Sequence, residues 1–205
     1  MDDIGRVEVQ WIRIGAVGGL WACVAYPAAV FVPFPLAVSA ALAASFGPAL
    51  GLGCVGLWRL IRLHQRSVAA GAAAGLNALG GALFTAMALV QMAVGAATGD
   101  RTERPFQAIW LGLDVAWDAY IGLGTVLFAF SMLRHPRFGR VFAASGVTIG
   151  LTLLLFNLYT FPTPPGNAGL VDLGPVVGLW YLAVTVRMWR SLSWAHAAAS
   201  GGLQS

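Results

Sequence analysis

Three observations predict an all-α fold, a polytopic membrane bundle of six transmembrane helices. Hydrophobic residues make up 59% of the 205-residue chain and charged residues only 10%, against about 25% charged in a soluble domain. Six apolar runs of spanning length divide the chain, each near the roughly 20 helical residues that a hydrocarbon core about 30 Å thick requires. The positive charges collect at one set of run ends. Mean hydropathy is +0.77, and residues 1–205 read as a single integral membrane domain without a soluble portion.

The first run, residues 12–32, stops at Pro33-Phe34-Pro35, because proline lacks an N–H and pushes the residue before it out of the helical region. The stretch ahead of it, MDDIGRVEVQ, is acidic, unlike the positive start of a cleavable signal, so the first helix is expected to be retained. The second run, 36–61, holds Pro48, an expected kink, and the third, 68–96, is rich in Ala and Gly. The fourth covers 108–133, the fifth 141–160 and the sixth 170–188. FPTPPGNAG, between the last two, has the Pro and Gly content of a non-helical turn.

The charge pattern orients the bundle. One side collects Arg6 and Arg13, then Arg59, Arg62 and Arg66, then Arg134, Arg137 and Arg140, then Arg187 and Arg190. The other holds Arg101 and Arg104, offset by Asp100 and Glu103. Arg-rich short loops stay in the cytoplasm, which predicts both termini inside, an even number of spans and the bacterial cytoplasmic (inner) membrane. The net charge of +4 comes from Arg alone, since the chain has no Lys. A Schiff-base chromophore or a lysine nucleophile is thereby excluded. The Arg residues lie in short loops rather than on one dense face, so nucleic acid is not the implied partner; membrane lipids are. Trp11, Trp58, Trp189 and Trp194 fall near inner boundaries and Trp110 near an outer one, as an aromatic belt requires. Trp21, Trp117 and Trp180 fall near mid-depth, where each indole N–H needs a partner. Small residues recur four apart at Gly15/Gly19, Gly47/Gly51, Gly71/Gly75, Gly146/Gly150 and Gly174/Gly178, a spacing that lets helices approach closely in lipid. They are read as packing within one bundle.

Much chemistry has no residues to carry it. His64, His135 and His196 lie in or beside loops, so no haem ligand sits inside a span. Cys23 and Cys54 lack a spacing partner and read as small core residues. No metal-ligand spacing occurs, Gly112-Leu113-Asp114 is not the GxGD pattern of intramembrane aspartyl proteases, and no cofactor is implied.

The fourth run, IWLGLDVAWDAYIGLGTVLFAFSML (109–133), is the exception. It is long and apolar enough to cross a bilayer, yet carries Asp114 and Asp118. An ionised carboxylate at mid-membrane costs on the order of 3 kcal/mol. Four residues apart, the two share a helix face, with Gln107, Trp110, Trp117, Ile121 and Thr125 on or beside the same stripe. That stripe should face the bundle interior, where Thr85, Gln91 and, deeper, Asn77 are available from the third helix. Carboxyl groups without a cationic neighbour retain their protons, and at least one of the pair is expected to do so at neutral pH. Asn157 and Tyr159 end the fifth run on the outer side, and Asp172 is placed to cap the sixth. The candidate ligand-binding set is therefore Asp114, Asp118, Trp110, Trp117, Asn157 and Tyr159, with no catalytic, cofactor or metal residue. A hydrogen-bonded Asp can equally fix helix register, and the two Trp can equally be packing.

The segments WDAYIGLG (117–124), LRHPRFGR (133–140), NLYTFPTPP (157–165) and DLGPVVGLWYLAV (172–184) together resemble a set of uncharacterised bacterial six-helix integral membrane proteins of unknown function. The resemblance covers the second half of the chain. It implies a bacterial inner-membrane protein and carries over no activity or site residue. The sequence then leads to a protein that binds or transports a small cationic or amphiphilic molecule, or protons, through an outward-facing pocket with a buried Asp pair. A scaffold subunit of a membrane complex is the alternative. An enzyme using a protonated Asp as general acid on a lipid-like substrate is a further one.

Overall fold

In the computed structural model, residues 3–99, 106–159 and 173–200 are described. They form seven helices: α1 (Asp3–Phe31), α2 (Leu36–Arg62), α3 (Val68–Thr98), α4 (Phe106–Met132), α5 (Gly139–Leu158), α6 (Gly174–Trp189) and α7 (Leu192–Ala199). No strand occurs among the described residues.

Helix boundaries follow local chemistry. The Pro33 and Pro35 pair separates α1 from α2, with Pro35 in extended conformation (φ −53°, ψ 143°) just before Leu36. Ser67 caps α3, its side chain accepting from Ala70 N–H at 3.1 Å, which satisfies one of the four orphan donors of a helix start. Gly99 closes α3 at φ +77°, its N–H on Gly95 O at 3.0 Å. That left-handed cap is a conformation open chiefly to glycine. Pro27 and Pro48 lie inside α1 and α2, and both helices continue through them.

Apart from α6, which begins at Gly174 rather than 170, the expected boundaries hold to within two residues, with two further differences. First, α1 begins at Asp3 rather than at residue 12. Its extra turns are held by a Glu8–Arg59 ion pair at 2.7 Å and by burial of Val9. Second, α7 was not anticipated, because eight residues with no apolar run carry no periodic signal.

Among the described residues, five helices are long and apolar enough to cross a membrane: Gly5–Phe31, Leu36–Arg62, Val68–Thr98, Phe106–Met132 and Gly139–Leu158. The six-span expectation is not met by length, since α6 has 16 residues, about 24 Å at 1.5 Å per residue. Residues 170–172 of the expected sixth run lie outside the described residues, as do Arg101 and Arg104. Large apolar side chains are exposed along the bundle, among them Val24, Leu79, Phe130, Leu155 and Leu179. An apolar flank of that extent is foreign to a water-soluble monomer and suits a protein embedded in a membrane.

Consecutive helices pack on one another from α1 through α5, and α6 and α7 return to lie against α1. Three seams are glycine on glycine. A Cβ on Gly15 would sit 2.5 Å from Gly56 Cα, one on Gly47 2.7 Å from Gly81 O, and one on Gly150 2.7 Å from Gly122 O. Close approach therefore joins glycines on neighbouring helices, as van der Waals packing in lipid favours. The expected same-helix pairs split. Gly75 and Gly178 meet nothing, and Gly51 makes only ordinary contact with Ala78 at 3.6 Å.

At the end holding the α2–α3 and α4–α5 turns, hydrogen bonds cross between elements. Gln65 donates to Ser131 O at 2.6 Å, and Ser67 and Ser131 share a hydroxyl bond at 2.8 Å. Arg137 Nε donates to Ser191 Oγ at 3.1 Å, and Arg187 donates to Arg137 O. These contacts gather Arg59, Arg62, Arg134, Arg137, Arg187 and Arg190 at one pole. His135 is 1% exposed there, its ring 5.4 Å from those of His64 and Trp194, with Nδ1 accepting from Arg137 N–H at 3.2 Å.

Candidate functional site

Asp114 and Asp118 project from one face of α4 and are 9% and 6% exposed. They line a cavity of about 250 Å³ between α1, α3, α4 and the start of α6. Trp110 and Trp117 share that wall. The spacing at 110, 114, 117 and 118 places all four on one stripe, since residues three and four apart lie over one another on a helix. From α3, Gln91 faces the cavity as the sequence suggested, together with Phe84 and Met87; from α1 comes Tyr26.

Beneath the carboxylates lies a cluster of four rings. Tyr26, Phe46, Phe84 and Trp117 have centroids 4.7–5.7 Å apart in tilted and edge-on pairs, the arrangement that ring quadrupoles prefer. Aromatic faces beside two carboxylates form an environment suited to a cation, which ion pairing and cation–π attraction would both favour. Trp110 Nε1 is inaccessible to solvent and makes no hydrogen bond among the described residues. It leaves an unmet donor in the same wall as two acceptors. Among the described residues no group of three or more His, Cys, Asp or Glu could hold a metal.

The remaining candidates lie elsewhere. Asn157 is 3% exposed, with Nδ2 on Leu153 O at 3.0 Å within its own helix, and it does not line the acidic cavity. Tyr159 is 82% exposed, in an apolar surface depression with Leu155 and Leu158. The structure thus brings together four of the six candidate residues. Thr85, expected to face the carboxylates, instead joins α2 to α3, donating to Ala43 O at 3.1 Å and accepting from Gly47 N–H at 3.2 Å. Asp172 lies outside the described residues; Leu173 is the N-cap of α6 and makes no side-chain capping bond.

Deeper in the bundle a polar knot ties three helices. Tyr181 OH donates to Asn77 Oδ1 at 2.6 Å and lies 3.1 Å from Thr125 Oγ1, while Asn77 Nδ2 donates to Ala73 O at 2.8 Å. All three residues are buried, so the network satisfies groups that would be costly to leave unpaired in lipid. Of the mid-depth indoles, Trp21 donates to Ser45 Oγ at 2.9 Å and Trp180 to Phe142 O at 3.3 Å.

Tyr26, Phe84 and Met87 were missed as site residues, because a lone aromatic or Met within an apolar run carries no sign of which neighbour it meets. No protein-family model matches this chain, and neither curated proteins nor solved structures gave a significant match.

Proposed function

We propose that the protein is a six-span integral membrane protein of the bacterial cytoplasmic membrane that binds or transports a small cationic or amphiphilic molecule at the Asp114–Asp118 cavity. The observation that carries this reading is two buried carboxylates and an aromatic cluster around one cavity of about 250 Å³. Ionisable residues at membrane depth are functional by default.

The sixth span and the orientation have separate support. α1 begins, and α6 ends, at the arginine pole, as the Glu8–Arg59 pair and the Arg137–Ser191 bond require. Five crossings alone would leave the chain at the opposite pole, and this supports reading α6 as the sixth. With Arg-rich turns cytoplasmic, both termini are inside and the acidic cavity lies in the outer half. The resemblance of the second-half segments to uncharacterised bacterial six-helix membrane proteins agrees with this reading.

Equilibrium binding of tetramethylammonium to the purified protein in lipid nanodiscs tests the reading. Binding should be saturable, weakened at least about tenfold by Asp118→Asn, and accompanied by unchanged helical content. Cation binding that is indifferent to both Asp118→Asn and Asp114→Asn would overturn it.

A further inference from the structure

The aromatic cluster has a second side. Across it from the carboxylates lies another cavity, of about 310 Å³, bounded by α1, α2, α4 and α6. Tyr26, Trp117 and Gly174 line both chambers, Phe84 belongs to the acidic one and Phe46 to the other. The two chambers therefore adjoin along Tyr26, Trp117 and Gly174. The second chamber exists because the facing surfaces of α1 and α6 are small: Ala22 and Cys23 on one, Gly174 and Gly178 on the other. Its remaining wall is apolar, and Phe31, Leu179 and Leu182 line it while being 62%, 66% and 36% exposed. The chamber therefore reaches the apolar flank of the bundle, at the seam between α1 and α6.

We infer that the two chambers form one site for a single-chain cationic amphiphile, with its charged head between Asp114, Asp118 and the rings and its alkyl chain in the apolar chamber, entering sideways from the bilayer. This rests on the reading of the acidic cavity given above and names the class of molecule it takes. An apolar cavity of about 150 Å³ already stays dry and takes up small apolar guests; the present one is twice that and reaches a flank where acyl chains are the solvent. An alkyl chain fits such a wall, whereas a hydrated ion does not. Conversely, two carboxylates and an unmet indole donor do not suit a hydrocarbon tail. The pairing of one polar and one apolar chamber through a shared wall selects a molecule that is both. Taken together, the volumes fall within the roughly 300–1,000 Å³ of small-molecule sites.

The test uses the full chain in lipid nanodiscs, with empty nanodiscs subtracted, and three radiolabelled probes: tetramethylammonium, dodecyltrimethylammonium and dodecanol. The filling variant is Gly178→Phe, because a Cβ there meets nothing within 4 Å and its ring would occupy the tail chamber; Leu179→Trp, at the mouth, is the second. The tailed cation should bind at least about tenfold tighter than tetramethylammonium, and Gly178→Phe should cost it about tenfold, roughly two methylenes' worth of burial. Tetramethylammonium should change less than about twofold in that variant. A photoactivatable group at the chain end should label Phe31, Leu179 or Leu182. Equal binding of the two cations, an inert Gly178→Phe together with an inert Leu179→Trp, or labelling confined to other helices would overturn the inference while leaving the acidic head site standing. Loss of the dodecanol and tailed-cation signals in Gly178→Phe, with Asp118→Asn silent for every probe, would instead overturn the head assignment and the proposed function with it.

Discussion

The two poles of this bundle are built from the same helices by opposite means. Toward the arginine pole, the Gly15–Gly56 contact brings backbones within touching distance, and the turns are tied by Gln65, Ser67, Ser131, Arg137 and Ser191. Toward the acidic pole, α1, α2, α3, α4 and α6 hold two cavities, and two carboxylates are buried beside one of them. Interiors normally pack to the density of organic crystals, so voids of this size set the acidic pole apart from the arginine pole. The contrast locates where stability and where binding should reside, and substitutions at each pole can break it.

The largest effect should come from Gly15→Val. Its Cβ would meet Gly56 Cα at 2.5 Å and Leu52 O at 2.8 Å, which are backbone atoms that no rotamer change can move aside. Overpacking typically costs about 1–3 kcal/mol, and a clash with backbone belongs at the upper end. Loss of the folded species in detergent denaturation is expected; an unchanged midpoint would show that the α1–α2 seam is looser than described.

His135 should make the arginine pole sensitive to acid. Burial holds its pKa down, from 6.5 to about 4, and the positive potential of His64 and Arg137 adds to this, outweighing a backbone interaction with Leu60 that favours the proton. A base whose folded pKa is depressed binds a proton more readily once unfolded. Stability is therefore fully present above pH 6.5 and is lost as pH falls from about 6.5 toward about 4, by roughly 3 kcal/mol if nothing rearranges. Denaturation measured across that range should show the slope, and His135→Phe should flatten it. An equal slope in the variant would assign the effect to other groups.

Between the poles, Gly124→Ala tests the polar knot. A Cβ there would lie 2.2 Å from Asn77 Nδ2, forcing Asn77 off Tyr181 and leaving buried groups unpaired, at about 1–3 kcal/mol. Adding Asn77→Ala to Gly124→Ala should recover part of that loss, because the clash and one partner disappear together. A double variant as poor as the sum of the singles would mean that the clash is not with Asn77.

These effects show what a single sequence could and could not disclose. Helix positions were legible, because a run of some twenty apolar residues in lipid has one backbone solution, and the i, i+4 geometry put Asp114, Asp118, Trp110 and Trp117 on one stripe before any neighbour was known. The partners were not legible. Thr85 and Gln91 look equivalent on α3, yet six residues leave them about a third of a turn apart, which sends Thr85 to the α2 seam and Gln91 to the cavity. Asn157 and Tyr159 seemed alike in depth, but one is buried along α5 and the other faces outward. Glycine spacing was visible, but which glycines touch depends on helix rotation, so Gly15 meets Gly56 while Gly75 meets nothing. The apolar chamber left no trace at all, since absent side-chain volume at Ala22, Cys23, Gly174 and Gly178 has no pattern of its own.

The smallest effects fall at open glycines, and they bear most directly on the contrast between the poles. Gly75 meets no atom within 4 Å of an added Cβ and sits inside α3. There glycine only adds freedom to the unfolded chain, and alanine should stabilise the helix by up to about 1 kcal/mol. Gly178→Ala, at the edge of the apolar chamber, should behave alike in stability, because its Cβ also meets nothing. The two should separate in binding. Gly75→Ala leaves both chambers untouched, whereas Gly178→Ala takes a methyl's volume from the chamber assigned to the alkyl chain. A small gain in denaturation midpoint for both, with a shortening of the preferred chain in Gly178→Ala alone, would show that the cavity volume at the acidic pole is used for binding. Identical chain-length preference in the two variants would show that Gly178 merely tolerates space.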